Sequence, residues 1–191
     1  MEKTPSELGE LSQDERIALR ELLTSANIPK NVHGSRLQDL SSIRPLFDYI
    51  VSPAYGLDTK NRIGFYLSGK GIERSTAFAH VAKMLVLSKC SVYFVNLHNL
   101  MSCLEDADKK TLLGRVDFLF VDEIQKQYKQ SVGAVRPYAA FQFQEAEDLM
   151  LRRFHNGLVT NLSASVAKSQ LDWWSVDFAD TVAESLVTIG L

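Results

Sequence analysis

The residues best suited to chemistry stand at three places along this 191-residue chain. The first is Ser68-Gly-Lys-Gly-Ile-Glu-Arg-Ser-Thr76, a glycine-bearing turn between an apolar run and a helix-length stretch. Such a turn lets backbone amides and a helix N-terminus cradle a phosphate, in the pattern G-x-x-x-x-G-K-[ST]. Gly69 fits the first glycine and Thr76 the closing hydroxyl, but Arg74 stands at the second glycine and Ser75 at the lysine. The second glycine lets amides wrap the β-phosphate, and the lysine places a point charge between the β- and γ-phosphates. Ser75 has no charge and Glu73 adds a negative one, so Lys70 or Arg74 would have to reach a phosphate from another direction. Gly69, Lys70, Gly71, Arg74, Ser75 and Thr76 form the candidate cofactor-binding set.

The second place is Val116-Asp-Phe-Leu-Phe-Val-Asp122-Glu123, an apolar strand ending in two acids, 46 residues after Thr76. This is the form of a Walker B motif, in which the first acid holds Mg²⁺ and the second polarises the attacking water. Asp122 and Thr76 are therefore the candidate metal ligands, and Glu123 the candidate catalytic acid. The bland reading is that the two acids cap the next segment. The third place is Leu158-Val-Thr-Asn161, where a polar residue at a strand end can contact both the γ-phosphate and the attacking water.

These residues need a particular scaffold. Ile63–Ser68, Ser91–Val95, Val116–Val121, Leu158–Thr160 and Leu186–Leu191 are short β-branched or aromatic runs, which predict strands. Helix-length stretches lie between them: Thr76–Ser88, Leu97–Leu113 with a break, Ala139–His155, and Ala164–Ala183 with a break. Alternating β and α predicts a mainly parallel sheet with helices on both faces and ligands beyond the carboxyl ends of its strands. Ahead of the sheet, Ser12-Gln-Asp-Glu15 offers a capping box for a short helix through Ile17, Leu22 and Leu23. That helix is marginal alone and must pack on its own domain or on a partner. The expected divisions are residues 1–26, a short helical segment; 27–62, a linker with a weakly helical stretch from Leu37 to Val51; and 63–191, the core.

Composition excludes several classes. With 46% hydrophobic and 23% charged residues the chain can bury a core, and 21 basic against 23 acidic residues leave a net charge of -2, which is no polycation. Cys90 and Cys103 form no CxxC, and His33, His80, His98 and His155 have no metal-ligand spacing, so neither a zinc site nor a disulfide framework is expected. No apolar stretch reaches a membrane span and the start lacks a signal-peptide core, so a cytoplasmic protein without membrane partners is expected.

Asn27-Ile-Pro-Lys-Asn-Val-His-Gly-Ser-Arg-Leu37, followed by Ile63 to Gly69, Val116 to Glu123 and Leu158-Val-Thr-Asn161-Leu, resembles the AAA+ core of DnaC-type helicase loaders and IstB-type transposition ATPases. The resemblance covers about residues 24 to 191. It implies an α/β P-loop NTPase three-layer sandwich with a five-stranded, mainly parallel sheet, and gives Asn161 the role called sensor 1. Three departures accompany it. The phosphate loop lacks its lysine and second glycine, Thr181 stands in place of a trans-acting arginine, and only some 26 residues precede the resemblance where loaders carry a helicase-binding region. No helical lid is expected after the fifth strand.

The resemblance implies a degenerate loader-like accessory of DNA replication or mobilisation, contacting a replicative helicase or another AAA+ subunit. ATP or ADP with Mg²⁺ and no cofactor at all stand as equal alternatives. So do an atypical ATPase using Arg74 or Lys70 and a structural or inhibitory subunit. A nucleic-acid contact is predicted after the paired acids: Ile124 to Gln144 holds no Asp or Glu, and Lys126, Lys129 and Arg136 are spaced among Tyr128, Tyr138, Phe141 and Phe143. Cations among rings suit single-stranded DNA, with phosphates on charges and bases on rings. The alternatives are a solvated loop, with Phe141 and Phe143 on the core side of the next helix. Trp173 and Trp174 are adjacent, so a regular element cannot turn both toward one core.

Overall fold

A computed structural model describes residues 12–34, 63–69, 71–125, 137–171 and 174–190. Five strands carry the core: β1 Gly64–Ser68, β2 Val92–Asn96, β3 Phe118–Asp122, β4 Val159–Ala164 and β5 Leu186–Gly190. They lie in the order β2-β3-β4-β1-β5, every neighbouring pair parallel. The connecting helices are α2 Ile72–Leu87, α3 Leu97–Cys103, α4 Ala107–Arg115, α5 Pro137–His155 and α6 Val176–Ser185. Preceding them is α1, Gln13–Ser25.

Strand residues alternate between two covered faces, which is why the strands read as unbroken apolar runs. Phe65, Phe118 and Phe120 pack toward α2, where Phe78 meets their rings edge-on at 5.8 Å from Phe65 and 5.0 Å from Phe120. Tyr66, Leu119, Val121 and Leu162 pack on the other face with Phe178 and Trp174, and Trp174 sits between Phe143 and Phe178 at 4.3 Å from each. Phe143 thus belongs to the core side of α5, whereas Phe141 is 58% exposed; Trp173 lies outside the described residues. At Gly64 the strands approach so closely that a Cβ would stand 2.5 Å from Thr160 O.

Two boundaries beside the first and fourth strands differ from the sequence reading in ways that bear on the site. Helix α2 begins at Ile72 rather than Thr76, because Gly71 (φ 84, ψ -170) takes a turn that only glycine adopts readily and starts the helix at once. Strand β4 does not end at Asn161 but runs on to Ala164, since polar Asn161 and Ser163 are hydrogen-bonded inside the core. The helix expected between Leu37 and Val51 lies outside the described residues.

Helix α1 packs on its own domain. Ser12 and Glu15 form the capping box, with Ser12 N–H donating to Glu15 Oε2 at 2.8 Å and Glu15 N–H to Ser12 Oγ at 3.3 Å. Asn27, at φ 56, ends the helix in a Schellman turn: Ile28 N–H donates to Leu23 O and Asn27 N–H to Thr24 O. The chain then caps the edge of β2. Phe94 N–H donates to Ala26 O at 3.0 Å, and Asn27 Nδ2 donates to Phe94 O at 2.7 Å. Leu23 is fully buried, while Leu22 is 56% and Ile17 47% exposed. Leu23→Ala is expected to destabilise the protein by about 2–5 kcal/mol. Leu22→Ala should stay within about 0.5 kcal/mol of wild type. Urea unfolding of both variants checks the docking, and equal midpoints would refute it.

Candidate functional site

The pleat decides what reaches the strand ends. Asp122 shares its parity with Phe118 and Phe120, so its carboxylate faces α2, where the first β-α turn lies. There a cavity of about 820 Å³ opens, lined by Gly71, Arg74, Ser75 and Thr76 from the turn and α2, and by Asp122 at the end of β3 and Glu123 just after it. Pro29, Asn31 and Val32 close another side. The topology thus joins two of the three predicted places, and it adds the N-terminal turn, which sequence reasoning treated as a linker. Its only signal was the proline-containing turn in the segment that carries the resemblance.

Arg74 is the centre of this arrangement. Its side chain is 2% exposed; Nη1 donates to Gly69 O at 3.2 Å, and Nη2 to Ser75 Oγ at 3.2 Å and to Asp122 Oδ1 at 3.5 Å. Asp122 Oδ1 also accepts from Ser163 Oγ at 2.6 Å and from Glu123 N–H at 2.8 Å. Glu123 holds φ at 58, a left-handed conformation that turns the chain sharply out of β3, and Ile124 N–H then donates to Ser163 O at 3.1 Å. Such a conformation costs a non-glycine residue roughly 1–3 kcal/mol. Arg74 Nε and Gln125 Oε1 are buried without a hydrogen-bond partner.

Asn161 is elsewhere. In the β3–β4 register it stands beside Phe120, one pleat short of Asp122, and its Oδ1 accepts from Phe65 N–H at 3.1 Å in the core. Ser163 occupies the level of Asp122, and Ser165 lines the cavity beyond it. Thr181, in α6, donates its hydroxyl to Asp177 O at 2.7 Å. Lys70, Lys126, Tyr128, Lys129 and Arg136 lie outside the described residues, and Tyr138 falls on the first turn of α5. Among the described residues, no group of three or more His, Cys, Asp and Glu side chains is placed to hold a metal ion. No helix there is long and apolar enough to cross a membrane.

The residues present do not fit a magnesium nucleotide in this arrangement. A cation at Asp122 would compete with the Arg74 guanidinium for the carboxylate, whose Oδ1 already accepts three hydrogen bonds. Because α2 starts at Ile72, the amides of Ile72 and Glu73 project from its first turn and do not wrap a phosphate from an extended loop.

No family profile matches the chain, and no curated protein matches it in sequence. Solved structures do match. A candidate primosome component from Streptococcus pyogenes serotype M3 superposes with a TM-score of 0.67 at 18% identity, over 90% of this chain and 96% of that one. DnaA from Aquifex aeolicus, bound to AMPPCP, gives 0.62 at 9% identity over 81% of this chain; the present chain spans only 49% of its length. The DnaC helicase loader gives 0.54 at 13% identity, over 77% and 85% of the two chains. The fold is therefore that of an α/β P-loop NTPase, a three-layer sandwich on a five-stranded parallel sheet. Its arrangement is similar to those of the primosome component and the DnaC helicase loader.

The placement of Asn161 has a measurable consequence. Asn161→Ala leaves the Phe65 amide buried without its acceptor, and a loss of about 1–3 kcal/mol in unfolding free energy is expected. Unchanged stability with altered nucleotide handling would return Asn161 to the cavity.

Proposed function

We propose that this chain is a replication-related AAA+ protein similar to helicase loaders, one that works by contact with a replicative helicase or another AAA+ subunit and with single-stranded DNA, and that hydrolyses little ATP. The observation that carries this reading is the seat of Arg74 on Asp122, which makes the acid suited to a metal a structural acceptor. Ser75 brings no ammonium to a γ-phosphate, and Thr181 bonds within its own helix where a trans-acting arginine would act. Such an arginine is worth about 10³ to 10⁵ in rate. The likeness to a helicase loader and to DnaA supports the replication setting.

ATP turnover by the purified protein is expected to stay at background with and without single-stranded DNA, and Glu123→Gln should change nothing. Turnover abolished by Glu123→Gln would overturn the reading in favour of an atypical ATPase. Size-exclusion chromatography with a replicative helicase, with and without ATP, tests the partner.

For the nucleic-acid contact we assign Lys126, Lys129 and Arg136 to phosphates and Tyr128 and Tyr138 to bases. Replacing the three cations by alanine is expected to weaken single-stranded DNA binding and to flatten its log–log salt slope by about 2, from roughly 0.7 per phosphate contact. An unchanged affinity and slope would make the segment a solvated loop.

A further inference from the structure

The cavity at the end of β3 contains its own counter-ion. Arg74 and Asp122 are both nearly sealed from solvent, at 2% and 7% side-chain exposure, and the guanidinium spans from Gly69 O to Asp122 Oδ1. One side chain thus ties together the turn after β1, the first turn of α2 and the end of β3. In an ATPase these parts meet across a metal and a phosphate, and their separation reports what is bound. The charges among the described lining residues are Arg74, Asp122 and Glu123, which sum to one negative charge before any ligand enters. A triphosphate would meet that field, and a divalent ion would meet the guanidinium already on its carboxylate.

We infer that Arg74 is the resident cation of this pocket, closing the first β-α turn onto β3 in place of a metal–phosphate bridge, so that the core is set in one state without ligand. The inference shares with the proposed function the contact of Arg74 with Asp122 and goes beyond it, because it concerns what holds the pocket and not which partner the protein meets. Its consequence is that surfaces built on the turn, on α2 and on Pro29–Val32 keep one geometry whatever the nucleotide concentration. Ser163 and the Glu123 amide complete the seat by filling the remaining approaches to Oδ1. Ser75, by accepting from Nη2, keeps the guanidinium turned toward the sheet.

The test is a double-mutant cycle read by thermal unfolding, in EDTA and in millimolar Mn²⁺. Wild type is expected to melt at the same temperature in both. Arg74→Met, which strands a buried carboxylate, should melt on the order of 10 °C lower in EDTA. It should recover about 2–4 °C in Mn²⁺ as the freed Asp122 accepts the metal. Asp122→Asn should be destabilised like Arg74→Met but indifferent to Mn²⁺, and Arg74→Met/Asp122→Asn should regain most of the loss and stay indifferent. If Arg74→Met does not fold, Arg74→Lys serves, since its single ammonium cannot span both acceptors: a lowered midpoint without a Mn²⁺ response is expected. A wild-type midpoint raised by Mn²⁺ and made insensitive by Asp122→Asn would overturn the inference, as would Arg74→Met melting with wild type. Helicase binding and DNA binding enter none of these readouts, so their failure would leave this result intact.

Discussion

A carboxylate buried at the end of a central strand has to be neutralised, and the upper half of this molecule is arranged around that requirement. Asp122 is 5% exposed because the alternation that buries Phe118 and Phe120 against α2 carries it to the same face. Burying an isolated charge is costly enough that the surroundings must supply a partner and hydrogen bonds. They come from three elements: the guanidinium of Arg74 from α2, the hydroxyl of Ser163 from β4, and the amide of Glu123, whose left-handed turn ends β3. The acid is therefore the junction at which three segments fix one another.

The same economy recurs at two other buried cations, each donating to several backbone carbonyls. Lys83, on α2, donates to Val32 O and His33 O at 2.8 Å each and so holds the N-terminal segment against the core. Arg153, on α5 and 1% exposed, donates to Leu113 O, Val116 O and Val159 O and to Thr160 Oγ1. It joins the end of α4, the approach to β3 and the start of β4. Burial lowers the pKa of both, that of Arg153 to about 10, which still leaves it charged at neutral pH. Because the folded protein binds this proton less tightly than the unfolded chain does, burial of charged Arg153 costs stability throughout the neutral range, and that cost is relieved only as pH rises above about 10. What these residues supply is satisfaction of backbone groups; left alone, each carbonyl would cost about 1–3 kcal/mol.

The β-α order was legible because each strand is a short apolar run closed by polar or glycine residues, and a parallel sheet leaves few other arrangements. The strand ends were less so. Asn161 resembles a terminus because it is polar, yet its partner is the Phe65 amide, 96 positions away in sequence. Burial of a polar side chain depends on such distant donors, which local composition does not encode. The paired acids were found by type and spacing, and Asp122 does face the first β-α turn. Ser163 was missed because an alternating Ser-Ala-Ser stretch carries no sign of which serine stands level with Asp122. Of the N-terminal helix the capping box was readable, but the choice between Leu22 and Leu23 as the anchor was fixed by the angle at which Asn27 returns the chain to β2.

The serine at 75, where the phosphate-loop pattern has lysine, and the buried pair at 74 and 122 are two aspects of one arrangement. The chain still brings a cation to the start of α2, but at residue 74 rather than 75. On an α-helix one position is a rotation of about 100°. Because the helix begins at Ile72, only Gly69 to Gly71 separate it from β1, and its first turn stands where an open loop would otherwise surround a phosphate. A cation at 75 on that turn would point along a different radius from Arg74, which reaches the sheet and finds Asp122. Ser75 takes the other radius and is small enough to accept from the guanidinium rather than displace it. Early helix onset, the arginine in the glycine position and the neutral residue after it are thus mutually consistent: each would be unfavourable without the other two, since an open loop would expose the guanidinium and a lysine beside it would crowd two like charges over one carboxylate.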